Sequence, residues 1–304
     1  MEGQASTASR PVTLARTRRV GAALSMRALM APMLVFLALL VALPLAYAVW
    51  LSLTDFRFGQ EAGFIGLRNY RTMLSDPDFW NGLYVTFLLY LLSLGMQLVL
   101  GCYLGMLLNR LRFGRRFLQT VLMSPFLLPP VVIGMMWLVI LDPSLGAANW
   151  ILQSLGLPPS LWLASPRFVV PVFALLDTWQ WTPFVALLVL GGLQTMPDGI
   201  TDAAAIDGAR SFAMLRYITL PLLMPTLFIA VVLRSVDLLR FFDLIYITTQ
   251  GGPGTASQTL NVYAFRRGLE FFDMGYASAL MITLAAVVFG VVLALSQFRR
   301  AAQW

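Results

Sequence analysis

The chain has 304 residues, 59% of them hydrophobic and only 12% charged, well under the about 25% charged residues usual in a soluble domain. Its net charge is +7, every basic residue is arginine, and neither lysine nor histidine occurs. This composition excludes a large soluble enzyme, imidazole-based chemistry, and a Walker A nucleotide loop, which ends in Lys-Ser or Lys-Thr.

In chain order, residues 1–27 are polar, rich in Ala and Ser, and carry Arg10, Arg16, Arg18, Arg19 and Arg27; they are expected to form a flexible basic tail. Apolar stretches then recur at lengths that suit a bilayer, which takes about 20 apolar residues. Predicted spans cover about 28–54, 79–109, 117–141, 168–195, 218–247 and 274–298, giving an all-α membrane protein with one six-helix domain over 28–300. A cleaved signal peptide is the rival reading of the first span, but its apolar core would hold only about 7–15 residues. The second span holds Gly101 and Gly105 beside the single cysteine, Cys102, a small-xxx-small spacing that favours close helix packing. The fourth is interrupted only by Asp177. The fifth is expected to start near Ile218, with Pro221 in its first turn, where proline is tolerated. Trp50, Trp80, Trp137 and Trp162 read as interface anchors.

A basic chain raises nucleic acid as a partner. Here the arginines sit in short segments between apolar runs, which is a membrane-topology pattern. Thirteen arginines fall on one side of the six-span reading and eight on the other. The positive-inside rule then places both termini in the cytoplasm.

The loop after the fourth span, 197–221, reads as a short helix, a break at Gly208, and a second helix entering the membrane. Asp198 or Thr201 is suited to cap the first helix, and Gly208 to end it. Asp202, Ala203, Ala204 and Asp207, then Gly208 and Ile218-Thr219-Leu220-Pro221, resemble the Glu-Ala-Ala…Gly…Ile-x-Leu-Pro signature of permease subunits of binding-protein-dependent ABC importers. Asp202 departs from the usual Glu: it keeps the charge and shortens the reach. Four other segments resemble the carbohydrate, maltose-type branch of that family. They are Phe64 to Tyr70, Pro125-Phe126 with Pro129, Asp177-Thr178-Trp179 with Thr182-Pro183-Phe184, and Gln250-Gly251-Gly252-Pro253.

The resemblance implies a type I importer architecture in the bacterial inner membrane. It also implies a second similar permease, two ATPase subunits that bind ATP and magnesium, an extracytoplasmic solute-binding protein, and a sugar as solute. Residues 202–204, 207, 208, 220 and 221 would couple to the ATPase. No catalytic residue, cofactor site or metal site is expected in the chain itself.

Two charge constellations are candidates for the solute path. Asp177, Gln180 and Trp181 share a helix face by spacing and offer a carboxylate, an amide and an indole to a sugar. A structural pair between Asp177 and an arginine is the other reading. Arg234, Asp237, Arg240 and Asp243 recur every three residues with alternating sign, so neighbours can pair while the set winds around the axis. By resemblance, Asp177, Gln180, Trp181, Asp237, Arg240 and Phe241, with Phe126 and Pro130 at the proline break, fall on or near the sugar path. Where the family has mainly Asn and aromatic residues, this chain has Asp and Arg, which leaves the solute's charge open. The expected mechanism is alternating access driven by the partner ATPases. An ion-coupled secondary transporter is the alternative; an intramembrane protease fails for want of His and of a second acid clearly within a span.

Overall fold

The computed structural model of the chain describes residues 15–301 apart from 112, 198, 201–203, 205–207, 209 and 210. Among the described residues the regular secondary structure is all helical, with no sheet and two isolated β-bridges, Thr54–Phe64 and Arg57–Asp273. The helices are α1 (Ala15–Ser52), α2 (Arg68–Leu74), α3 (Pro77–Arg110), α4 (Arg115–Leu127), α5 (Pro130–Ile140) and α6 (Ala147–Ser154). They continue with α7 (Val169–Gln194), α8 (Leu220–Leu239), α9 (Asp243–Thr248), α10 (Leu260–Phe265) and α11 (Met274–Ala301). Among the described residues five helical stretches are long and apolar enough to cross a membrane, or six if α4 and α5 form one span.

The chain divides into two compact units, residues 1–50 and 51–304. The first holds most of α1, whose stretch from Met30 is apolar and long enough to cross a membrane.

In the second unit α3 and α7 form the central pair. Gly101 and Gly105 let the backbones approach: a Cβ on Gly101 would lie 2.5 Å from Val185 Cγ1, and one on Gly105 would lie 2.8 Å from the Ala186 carbonyl oxygen. One apolar cluster, with Leu89, Ile133, Phe173 and Leu244, joins α3, α5, α7 and α9. Another, of Tyr90, Leu94, Leu238 and Leu239, packs α8 on α3.

Two differences from the expected spans have local causes. The 117–141 stretch is not one straight helix: α4 and α5 meet at 91°. Leu128 (ψ 136°) and Pro129 (ψ 142°) are extended, because a residue before proline is driven out of the helical region. The fifth span starts earlier than Ile218, with a helical turn at Ser211–Met214 and a π-helical turn at Leu215–Thr219 leading into α8. The wide turn lies just before Pro221, which has no N–H to donate to the preceding turn. The same span is then interrupted between Leu239 and Asp243.

The segment Phe64–Tyr70 ties a loop to a helix end. Asn69 Nδ2 donates to the carbonyls of Ser52 (2.9 Å) and Thr54 (2.8 Å), and Tyr70 donates to Ser52 Oγ at 2.9 Å. Nearby, Asp76 caps α3 through the Asp78 amide at 3.0 Å and accepts from the hydroxyls of Tyr263 and Tyr276. Arg267 Nε donates to Tyr263 Oη at 3.0 Å. Burial alone would raise the Asp76 carboxyl, but the two tyrosines, the Asp78 amide and the Arg267 charge outweigh it and hold it below the usual carboxylate range. Burial and the neighbouring carboxylate push the Tyr263 phenol up to about 12.

Two predictions follow from this packing. Gly105→Leu will overpack the α3–α7 contact at a cost of about 1–3 kcal/mol, read as a lower melting temperature of the detergent-solubilised protein, whereas Gly290→Leu at an open position of α11 will not. Because the Asp76 carboxyl is depressed in the folded state, its contribution to stability is present above the unfolded value of about 3.9 and is lost as pH falls through the folded value. Asp76→Asn should therefore melt below wild type at neutral pH, and the gap should close as pH drops below about 4.

Candidate solute site

A cavity of about 490 Å³ lies between α5, α7, α8, α9, α10 and α11. Its wall includes Pro130, Asp177, Gln180, Trp181, Asp237, Arg240 and Phe241, so it brings together seven of the eight residues expected on the solute path. Phe126, the eighth, stands one layer back: its ring meets Trp181 edge-on at 5.1 Å and stacks on Phe184 at 5.7 Å.

Asp177 is paired. Arg234 Nη2 donates to both of its carboxylate oxygens, at 3.1 and 3.0 Å. Gln97, from α3, donates its amide to Asp177 Oδ2 and accepts from Arg234 Nε at 2.9 Å. Both charged side chains are 1% exposed. The Arg234 guanidinium also lies 3.9 Å above the centre of the Trp181 ring, so one face of the indole is taken by a cation, and Phe126 and Phe184 both meet the ring near-perpendicularly. Asp177 thus holds three helices together, and a sugar has at most the remaining surface of Trp181 to rest on.

The set at 234–243 divides across a break in the helix, between Leu239 and Asp243. Arg234 turns into the protein and reaches Asp237 through Nη1 at 3.4 Å. Arg240 approaches Asp237 at 3.9 Å. Asp243 lies beyond the helix break, in the first turn of α9. The carbonyls freed by that break are satisfied from the segment after the Gly251-Gly252-Pro253 turn: Asn261 Nδ2 donates to the Arg240 carbonyl at 2.8 Å and Thr259 Oγ1 to the Phe241 carbonyl at 3.1 Å. Asn261 and Phe265 therefore also line the cavity.

Gln97 and Asn261 were not anticipated from sequence. Their signal is an amide inside an apolar run and an amide just after a Gly-Gly-Pro turn, and neither shows in a search for charges. The residues expected to couple to an ATPase are elsewhere, in the α7–α8 loop. Asp202, Ala203 and Asp207 lie outside the described residues. Ala204 is helical, and Gly208 has φ +80°, a conformation open to glycine. Leu220 and Pro221 open α8.

The profile of the family "binding-protein-dependent transport system inner membrane component" matches residues 97–300, which contain every residue of the cavity wall. The chain belongs to this family. It is an ABC importer permease and a multi-pass inner membrane protein. The permease is 37% identical over 273 residues to the trehalose/maltose transport system permease protein MalF of Thermococcus litoralis, covering 88% of this chain and 92% of that one. It is 35% identical to the sulfoquinovosyl glycerol transport system permease protein SmoG of Agrobacterium fabrum, covering 85% of each chain. In fold it matches a chain of a bacterial alginate ABC transporter with a TM-score of 0.81 at 22% identity, covering 94% of this chain and 97% of that one.

The ion pair generates a prediction about the permease. Asp177→Asn or Arg234→Met alone leaves one buried charge without its partner, which costs about 3–5 kcal/mol, so each should lower melting temperature and yield sharply. Asp177→Asn combined with Arg234→Met removes both charges and should recover most of the loss. Equal damage in the single and double variants would show that the pair is not what joins the helices.

Proposed function

We propose that this permease forms half of the translocation pathway of a sugar importer, with the cavity between α5 and α11 as the place where the solute is held. The observation that carries this reading is the single cavity in which seven residues chosen from sequence converge, with carboxylate, guanidinium, amide and aromatic groups on one wall. Such a wall offers acceptors and donors for hydroxyls and apolar surface for a ring face. The relatives support a sugar or sugar-like solute, since those named above carry trehalose or maltose and a sulfoquinovosyl glycerol.

In this reading a second permease completes the pathway, and an extracytoplasmic binding protein delivers the solute. Both termini are cytoplasmic. Two ATPase subunits bind ATP and magnesium and dock on the loop 197–221, where Asp202, Ala203, Ala204, Asp207 and Gly208 make the contact and Leu220-Pro221 carry the movement into α8. Closure of the ATPases opens the cavity outward, and hydrolysis resets it. The chain's own residues hold and release the solute and make or break no covalent bond.

The test is ATP hydrolysis and uptake by the complex in proteoliposomes, expressed with its neighbouring genes. The binding protein loaded with one sugar should stimulate both. Asp202→Arg or Gly208→Trp should cut uptake by about tenfold or more while ATP hydrolysis persists. Wild-type transport by both variants would overturn the role of the loop. Uptake driven by an ion gradient in a preparation without ATPase would overturn the importer reading of the cavity.

A further inference from the structure

We infer that the cavity selects against anionic solutes and that Asp237 and Asp243 set this selectivity. The inference rests on the sugar-permease reading above and narrows it to neutral or amine-bearing solutes. Five charged side chains border the cavity, three acids and two arginines, but they are not equally available.

Arg234 is used up. Its Nε donates to Gln97, its Nη2 to both oxygens of Asp177, and its Nη1 to Asp237, while its face covers Trp181. At 1% exposure it has nothing left for a solute phosphate, carboxylate or sulfonate, and Asp177, equally buried, cancels its charge. The charges that remain open to the cavity are Asp237, 43% exposed, Arg240, 59% exposed, and the exposed Asp243. Two carboxylates against one guanidinium leave one net negative charge.

Arg240 is moreover committed in part, donating to the Val236 carbonyl at 3.2 Å and facing Asp237 at 3.9 Å. Apolar side chains such as Phe241, Phe265 and Met281 complete the wall, so water screens these charges less than at an open surface. An anionic group must therefore shed its hydration and meet a negative field without a free guanidinium to receive it. Hydroxyl or ammonium donors meet two carboxylates, the acceptors of the stronger, charge-assisted hydrogen bonds.

The experiment compares a matched pair, trehalose and trehalose 6-phosphate, in proteoliposomes holding the full complex and its binding protein. The quantity read is the ratio of the two uptake rates, in wild type, Asp243→Asn, Asp237→Asn with Asp243→Asn, and Arg240→Gln. Because the binding protein is the same throughout, its own preference cancels between variants. Wild type should strongly prefer the neutral sugar. The double variant should raise the relative uptake of the phosphate by about tenfold, and Arg240→Gln should lower it. Asp243→Asn disturbs no hydrogen bond of the Gln97–Asp177–Arg234 network, so it gives the same sign of change even if the double variant folds poorly. A ratio that stays constant across the variants, or wild-type uptake of the phosphate equal to that of the sugar, would overturn the inference. If wild type hydrolyses ATP in response to its binding protein yet transports neither these nor any other sugar, the sugar reading itself falls, which is a distinguishable result.

Discussion

The arrangement depends on one buried ion pair. A charge inside a membrane span is costly, by about 3 kcal/mol on insertion scales and more in simulations, so Asp177 and Arg234 are tolerable only where each finds the other. The pairing is exacting: both carboxylate oxygens meet one nitrogen of the guanidinium, and Gln97 closes the figure from a third helix. Gln97, Gly101 and Gly105 follow one another at intervals of four, so they lie along one face of α3. The glycines bring α7 against that face, and this close approach puts the amide within reach of Asp177. Small residues and a polar triad thus work as one device, with packing setting the distance and charge setting the register.

The second constraint is the backbone. Within a bilayer every N–H and C=O must find a partner, and irregular backbone survives only where protein or a water-filled cavity supplies one. The chain breaks its helices at 128–129 and 240–242, and both breaks adjoin the same cavity. The first is imposed by Pro129 and Pro130. The second carries no proline; it holds because Thr259 and Asn261 receive the two freed carbonyls. Those two residues are delivered by the Gly251-Gly252-Pro253 turn, where Gln250 (φ +53°) and Gly251 (φ +93°) reverse the chain. The turn therefore helps to build the wall, although it lies away from the cavity lining.

Much of this was legible in the sequence, for physical reasons. Apolar length reports spans, and prolines report breaks, though not their angle: the 91° between α4 and α5 depends on what both helices pack against. The charged cavity residues were legible because charges inside apolar runs are too costly to be idle, and Gln180 and Trp181 because they share a helix face with Asp177; Phe241 and Pro130 came from the family resemblance. What charge alone did not show was which of them serve the fold. Asp177 stood as a candidate for the solute and also for an arginine, and spacing within one helix cannot decide between these. The deciding residue, Gln97, is uncharged and eighty positions away in sequence. The interruption after Leu239 was equally hidden, since Arg240 and Phe241 are acceptable helix residues and the donors that stabilise the break lie some twenty positions downstream.

It follows that the charge a sequence places in a membrane cavity differs from the charge a solute meets there. Of the five charged side chains on this wall, two are spent on each other and on the joint between helices, and their burial makes them indifferent to the solute. The others stay exposed around the end of the helix: Asp237 lies in the last turn of α8, Arg240 closes it, and Asp243 opens α9. Had α8 continued without a break, Arg234, Asp237, Arg240 and Asp243 would have wound through half a turn of its axis, and one face could not have held all four. The interruption turns a winding row of alternating charges into one buried scaffold and one exposed cluster. The same few residues can then hold the membrane domain together and present a polar wall to what passes through it.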